Sequence, residues 1–288
     1  MPRRRALTRA TTALLVLAAL TTACGNPTTT TGTTSPGAGS AGLPLVADGV
    51  LTIGTDPTYP PMEYEEGGKL TGVNVEILTD VARRLGLRPQ FQTVAFADLR
   101  PAATAHTVDL VGASMTDNAA RQQDVDFVDV FYAGEQVLSG PGDHSARAEP
   151  GSWCGLRMAA AAGTTEADIV TGQSQLCTAA GEPAVALVDV PYLESVSAIA
   201  DGRADLGVEA LPAAAKLIAD SGGTVQALGD PWQAQPWGYG FAKDRTELRD
   251  AVQRALQDAI ADGTYDAILE KYGVSDGALR TTAVNGGA

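Results

Sequence analysis

The residues of this chain that could do chemistry are few and scattered. Among its 288 residues are two histidines, His106 and His144, and three cysteines, Cys24, Cys154 and Cys177. A catalytic imidazole needs a nucleophile to activate or an acid to orient it, and neither histidine lies in a pattern that supplies one. No G-x-S-x-G, no H-E-x-x-H and no phosphate-cradling glycine loop occurs. His106 follows a helical segment and His144 sits in Pro141-Gly142-Asp143-His144, both settings of solvated loop residues. Carboxylates are abundant, so acid–base work by Glu or Asp stays open, although no spacing singles out a pair. No catalytic residue, metal or cofactor is expected.

The N-terminus says where the protein works. Arg3, Arg4, Arg5 and Arg9 precede a short apolar run from Ala13 to Leu20, and Thr22-Ala23 places small residues before Cys24. The run is too short to span a bilayer as a mature helix. The order resembles a bacterial lipoprotein signal. That resemblance implies removal of residues 1–23, lipidation of Cys24, and a flexible Thr/Gly/Ser/Pro tether over 24–47. The Leu usual three residues before the cysteine is Thr21 here. An ordinary secretory signal is the alternative; either one exports the protein, and the lipid would hold it on the extracellular face of the membrane. Loss of a segment with four arginines and no acid takes the formal charge from -14 to -18. Such a surface repels nucleic acid and anionic headgroups, so no nucleic-acid partner is expected and membrane attachment runs through Cys24 alone. In an oxidising compartment Cys154 and Cys177 form a disulfide by default. A metal site is the alternative, for which two cysteines without neighbouring histidines are a poor ligand set.

About 245 residues follow the polar tract, enough for one large core or two lobes. Their pattern alternates strands with helices. Strands are expected at Val50 to Thr55, near Phe91 to Val94, and at Asp109 to Ala113. Helices are expected at Val75 to Leu85 and near Asp98 to Ala105. After Tyr132 the rhythm restarts, with strands at Leu156 to Ala161, Val185 to Val190 and Asp205 to Val208. Helices accompany them at Thr165 to Ala179, Glu194 to Ala200 and Ala213 to Ala219. An amphipathic helix over Glu247 to Ala261 and a short one ending at Tyr272 close the chain. Two βαβ-rich blocks with parallel sheets follow from this rhythm.

Five segments in order carry a resemblance to a family. They are Gly54-Thr55-Asp56-Pro57-Thr58-Tyr59-Pro60-Pro61-Met62-Glu63-Tyr64 with Gly68 to Glu76; Asp109 to Thr116 with Arg121 and Val125 to Tyr132; Gly163-Thr164-Thr165-Glu166; Gly202-Arg203-Ala204-Asp205; and Ala261-Asp262-Gly263-Thr264-Tyr265. Together they resemble family 3 of the bacterial extracellular solute-binding proteins, the polar-amino-acid receptors of ABC importers, over nearly all of the mature chain. The resemblance implies an α/β, two-lobed periplasmic-binding-protein-like fold (type II) with two crossing hinge strands, near Ala133-Gly134 and Trp237-Gly240. Residues 48–134 and 237–288 would form lobe 1, and 135–236 lobe 2. It also implies a monomer that captures a small amino acid or related carboxylate and delivers it to a membrane permease.

The same resemblance assigns a site. Arg121 would hold the ligand's α-carboxylate, a role suited to a guanidinium that forks onto both oxygens. Ala113, Ser114 and Thr116 lie on the strand end beside it, and Thr164 and Thr165 at a helix N-terminus opposite. Tyr59 and Phe96 would cover the ligand, Asp56 and Glu63 could meet a cationic side chain, and Glu166 stands where members commonly have Gln beside the ligand. Members usually place an aspartate for the α-amine five residues after the Asp of Gly-Arg-x-Asp. That position is Ala210, and Glu209 substitutes only if the strand register shifts. The ligand is then an amino acid held differently, or a carboxylate without a primary amine. Asn74 stands where the family usually has an acid. Two other functions remain on this scaffold: a prephenate-type dehydratase, or a sensory receptor for a membrane signalling protein.

Overall fold

In the computed structural model, which describes residues 42–287, two lobes share one eight-stranded sheet. Lobe 1 opens with β1 (Val50–Thr55), β2 (Thr58–Tyr59), β3 (Glu63–Glu66), β4 (Lys69–Thr71), α1 (Val73–Arg84), β5 (Arg88–Thr93), α2 (Leu99–Thr104) and β6 (Leu110–Thr116). The long β7 (Val125–Ser139) then carries the chain into lobe 2. There follow β8 (Arg157–Ala160), α3 (Thr165–Ala179), β9 (Ala186–Asp189), α4 (Ser195–Ala200), β10 (Leu206–Ala210) and α5 (Leu211–Asp220). The chain returns along β11 (Gln226–Ala242) and finishes lobe 1 with α6 (Thr246–Ala261) and α7 (Thr264–Tyr272). The signal segment and Cys24 lie outside the described residues, among which no helix is long and apolar enough to cross a membrane.

The strand order is β5-β1-β6-β11-β7-β10-β8-β9. β5, β1 and β6 run parallel, as do β10, β8 and β9. β7 and β11 are antiparallel to each other and to their outer neighbours, which makes the sheet mixed where the sequence suggested parallel. The reason is connectivity: a strand returning from lobe 2 must run against the strand that left lobe 1. β7 pairs with β10 from Glu135 onward, so it passes between lobes at about Ala133-Gly134. β11 pairs with β7 over Gln226–Leu228, loses register between Leu228 and Gln235, and joins β6 at Trp237. Its passage thus precedes the Trp237-Gly240 stretch read from the sequence. Trp237 belongs to the lobe 1 core, its ring centroid 5.6 Å from that of Phe131.

Local sequence accounts for the helices. α1 buries Val73, Ile77, Leu78, Val81 and Ala82 along one stripe. It starts at Gly72, whose φ of 120° and whose missing Cβ, 2.4 Å from the Met62 carbonyl oxygen if present, admit only glycine. α3 begins at Thr164, whose hydroxyl accepts from the Ala167 amide at 3.2 Å, a Ser/Thr N-cap. α6 buries Leu248, Ala251, Val252, Ala255, Leu256 and Ala259. Lobe 1 packs around Leu51, Ile53, Leu110 and Phe241, with a second cluster around Leu99 and Phe127. Lobe 2 packs around Trp153, Met158 and Val170. The Cys154–Cys177 disulfide ties the loop before β8 to the end of α3. Residues 282–287 lie along the first half of β7: the Asp129 amide donates to Ala283, the Phe127 amide to Asn285 Oδ1, and the Gly287 amide to Asp117 Oδ2.

Candidate functional site

The lobes meet around one buried cation. Arg121 stands just past β6, where Asn118 Oδ1 accepts its amide at 2.9 Å and starts a short 3-10 turn. Its side chain is driven inward and only 6% of the residue is exposed. Nη1 donates to the Thr116 carbonyl at 3.0 Å and Nη2 to the Gly163 carbonyl of lobe 2 at 3.3 Å. The guanidinium also stacks 5.5 Å from the centroid of Phe96. Among the described residues it forms no ion pair, and burial pulls its pKa below the ordinary value. A buried charge bonded only to carbonyls is costly until an anion reaches it. Its remaining N–H groups suit a carboxylate.

Aromatic rings form the next layer. Tyr192, on the loop after β9, sits with its ring centroid 5.4 Å from Tyr59 and 5.4 Å from Phe96, edge-on to both. Trp237 packs edge-on against the other side of Tyr59 at 6.1 Å. Beneath them Glu63 accepts three hydrogen bonds, from the Ser114 amide at 2.9 Å, the Ser114 hydroxyl at 3.0 Å and Asn74 Nδ2 at 2.7 Å. Burial nonetheless pushes its pKa up to about 8, those donors pulling the other way. Asn74 Oδ1 in turn accepts from the Tyr239 hydroxyl at 3.0 Å. Asn74 is therefore a clamp on Glu63. The space between Asp56, Tyr59, Glu63, Phe96, Ser114 and Tyr192 is about 10 Å³, room for about one water. The lobes are in contact here, and a wider groove of about 350 Å³ lies alongside, sharing Asp56, Phe96 and Tyr192.

The far wall is acidic. Glu135 on β7, Glu166 in the first turn of α3 and Glu209 on β10 are all buried. Burial, then Glu166 and Glu209, raise the pKa of Glu135 well above the carboxylate range. Glu209 is pushed up to about 8 by burial, although its Oε1 accepts from the Ser195 hydroxyl at 2.6 Å. Burial raises the pKa of the Tyr59 hydroxyl first, and all three carboxylates add to that rise.

Most residues named from the sequence gather here, with different tasks. Thr116 and Thr165 face each other across the cleft, hydroxyls 3.2 Å apart, and Thr165 Oγ1 donates to Glu166 at 3.2 Å. The Thr164 hydroxyl is occupied by its cap and by the Ala161 carbonyl at 2.7 Å. Asp56 fixes its own loop, accepting from Thr58 Oγ1 and the Phe96 amide, each at 2.9 Å. The Ala113 side chain points into the Leu99–Phe127 core, which leaves only its backbone near the cleft. Glu209 is buried without a slipped strand: β10 pairs it with Gln136, and Ala210 becomes the N-cap position of α5. Glu135, Tyr192 and Trp237 were not singled out as site residues. Tyr192 could have been found as the one ring in a Pro-Tyr-Leu turn after a strand. Glu135 carries no local signal.

Comparison with known proteins bears directly on this geometry. Residues 51–275 match the model for bacterial extracellular solute-binding proteins, family 3. The chain belongs to that family. Arginine-binding protein ArgT of Corynebacterium glutamicum is 30% identical to this solute-binding protein over 244 residues, covering 84% of this chain and 80% of ArgT. A solved ancestral arginine-binding protein bound to arginine superposes with a TM-score of 0.70 at 27% identity, covering 78% of this chain and 98% of that one. The ancestral amino acid-binding protein AncCDT-1, a precursor of cyclohexadienyl dehydratase, matches at a TM-score of 0.66 and 26% identity, over 78% and 95%. Family 3 proteins bind amino acids outside the cytoplasm and work with ABC permeases, and their two-lobed α/β fold is the fold of this one.

Proposed function

We propose that this chain is a lipid-anchored receptor, tethered through Cys24 on the extracellular face of the membrane. As a monomer it closes on an amino acid or related carboxylate and delivers it to an ABC permease. The observation that carries this reading is Arg121: a buried guanidinium that bonds a carbonyl of each lobe and has N–H groups to spare for an anion. An α-carboxylate landing there would complete its hydrogen bonds and pull both lobes onto one ligand. Two of the relatives named above are arginine-binding proteins, so arginine heads the test panel.

The test is titration calorimetry of Arg121→Ala against the parent, with arginine, lysine, glutamine and cystine. A loss of roughly 100-fold in affinity, with unliganded melting little changed, supports the assignment. Unchanged affinity overturns it. One observation favours a second reading as an enzyme: Glu209, pushed up to about 8, keeps a proton at neutral pH that it could donate. Turnover of a prephenate-like acid without saturable binding would put that reading first.

A further inference from the structure

Arg121 accounts for one end of a ligand, and the acidic wall asks what occupies the other. Glu166 and Glu209 each have a hydroxyl partner, Thr165 and Ser195. Glu135 does not: its Oε2 is buried and makes no hydrogen bond among the described residues, while the residue is only 5% exposed. The one cation acting on it is Arg121, the weakest of the influences on its charge. A buried carboxylate oxygen without a donor is expensive, and folds keep such a group where something else completes it.

The distribution of charge narrows what that is. Burial disfavours the ionised forms of Glu135 and Glu209 in the empty site, and a cation docked beside them restores those forms. A zwitterionic ligand brings one ammonium to three acids, whereas a ligand with one further cation brings a second. The three carboxylates do not converge on a point, since no group of three or more such side chains among the described residues could hold a metal ion. An organic ligand with an α-ammonium and a second cationic head could meet different members of this wall. The rings of Tyr59, Phe96 and Tyr192 pack beside the site and supply apolar surface that suits an alkyl stem or a stacked guanidinium.

Resting on the amino-acid-binding reading above, we infer that the ligand is a basic amino acid, its side-chain guanidinium or ammonium received by Glu135 on the crossing strand. Glu166 and Glu209 are left for its α-ammonium. Glu135 is thereby the residue that separates cationic from neutral side chains, and it does so from the strand on which the lobes turn.

L-arginine and L-citrulline test this directly, because they share shape and differ in charge. Calorimetry on the exported soluble chain, with L-lysine and L-glutamine alongside, reads the selectivity. Glu135→Gln then asks whether that residue makes it. The expected result is arginine or lysine bound at least about 100-fold more tightly than citrulline and glutamine, and a ratio that collapses about tenfold or more in Glu135→Gln. Citrulline or glutamine bound as tightly as arginine overturns the inference and leaves the amino-acid reading standing. So does a ratio untouched by Glu135→Gln. Should none of the four bind, the underlying reading falls and this one with it. Melting of the unliganded variant shows whether it folds, and Glu135→Asp, which shortens the carboxylate without removing its charge, should retain part of the preference.

Discussion

The hydroxyl of Thr116, at the end of β6, lies 3.2 Å from the hydroxyl of Thr165, the first residue of α3. One belongs to each lobe, so the pair forms only when the cleft is shut. Thr165 also donates to Glu166 at 3.2 Å. Thr165→Ala removes both contacts and leaves the Thr164 cap in place. The loss of one such hydrogen bond is worth about 1 kcal/mol, so affinity should fall about fivefold by calorimetry, with the unliganded melting temperature nearly unchanged. A large drop in melting temperature would show that the hydroxyl supports the fold instead.

Tyr192 holds lobe 2 against Tyr59 and Phe96 at 5.4 Å each. Edge-to-face pairs of this kind contribute about 0.5–1.5 kcal/mol each beyond burial. Tyr192→Ala should therefore shift the unliganded protein toward open forms, seen as a larger radius of gyration in solution scattering. Identical scattering curves would exclude the ring as a closure contact.

Burial raises Glu63 and Glu209 to about 8 from an ordinary value of 4.5. Below the ordinary value both folded and unfolded chains hold these protons, and that stability is fully present. Between the two values only the folded chain holds them, so stability falls as pH climbs toward 8. The melting temperature of the unliganded protein should thus decline from about pH 5 to about pH 8. Glu209→Gln, which can still accept from Ser195, should flatten part of that slope. A melting temperature that rises across the same range contradicts the assignment.

Gly72 stands at φ 120° with the Met62 carbonyl where a Cβ would be. Met62 precedes Glu63, and its carbonyl also accepts the Asn74 amide at 2.9 Å. Gly72→Ala must push this turn apart, at a cost of about 1–3 kcal/mol. Chemical denaturation should show that loss together with weaker ligand binding, since Glu63 and Ser114 move with the turn.

The Cys154–Cys177 bridge spans 23 residues, which in the chain-entropy account is worth about 3 kcal/mol. Replacing both cysteines with serine should lower the unfolding free energy by that order, read as a lower denaturation midpoint, while leaving Arg121 and its partners undisturbed. An unchanged midpoint would mean that the Trp153 core alone holds this corner of lobe 2.

Helices that carry their own caps and stripes were legible from sequence. α3 runs from Thr165 to Ala179 as its pattern suggests, and α1 and α6 differ by a residue or two at their starts. β11 was not legible as one strand, because Gly229, Asp230-Pro231 and Gln235-Pro236 read locally as turns. Only pairing with β7, some ninety residues away, holds it extended. The site divides similarly. Arg121, Thr116 and Thr165 sit in motifs that announce themselves, and the structure brings them within reach of one another. Glu135 and Tyr192 acquire meaning from the opposite lobe, which no local pattern encodes. Glu209 was discounted by strand alternation counted from Asp205, yet β10 ends there and its last acid turns toward Ser195.

The interrupted ladder between Leu228 and Gln235 has a mechanical consequence. A door needs a place that yields, and a fully bonded pair of strands is stiff. By leaving that stretch of β11 out of register, the fold gathers its compliance into a few residues beside Ala133-Gly134. Swinging the lobes apart then bends the backbone there without tearing the sheet on either side. The resistance to opening is set by the rings and hydroxyls across the gap, and so by whatever molecule has settled between them.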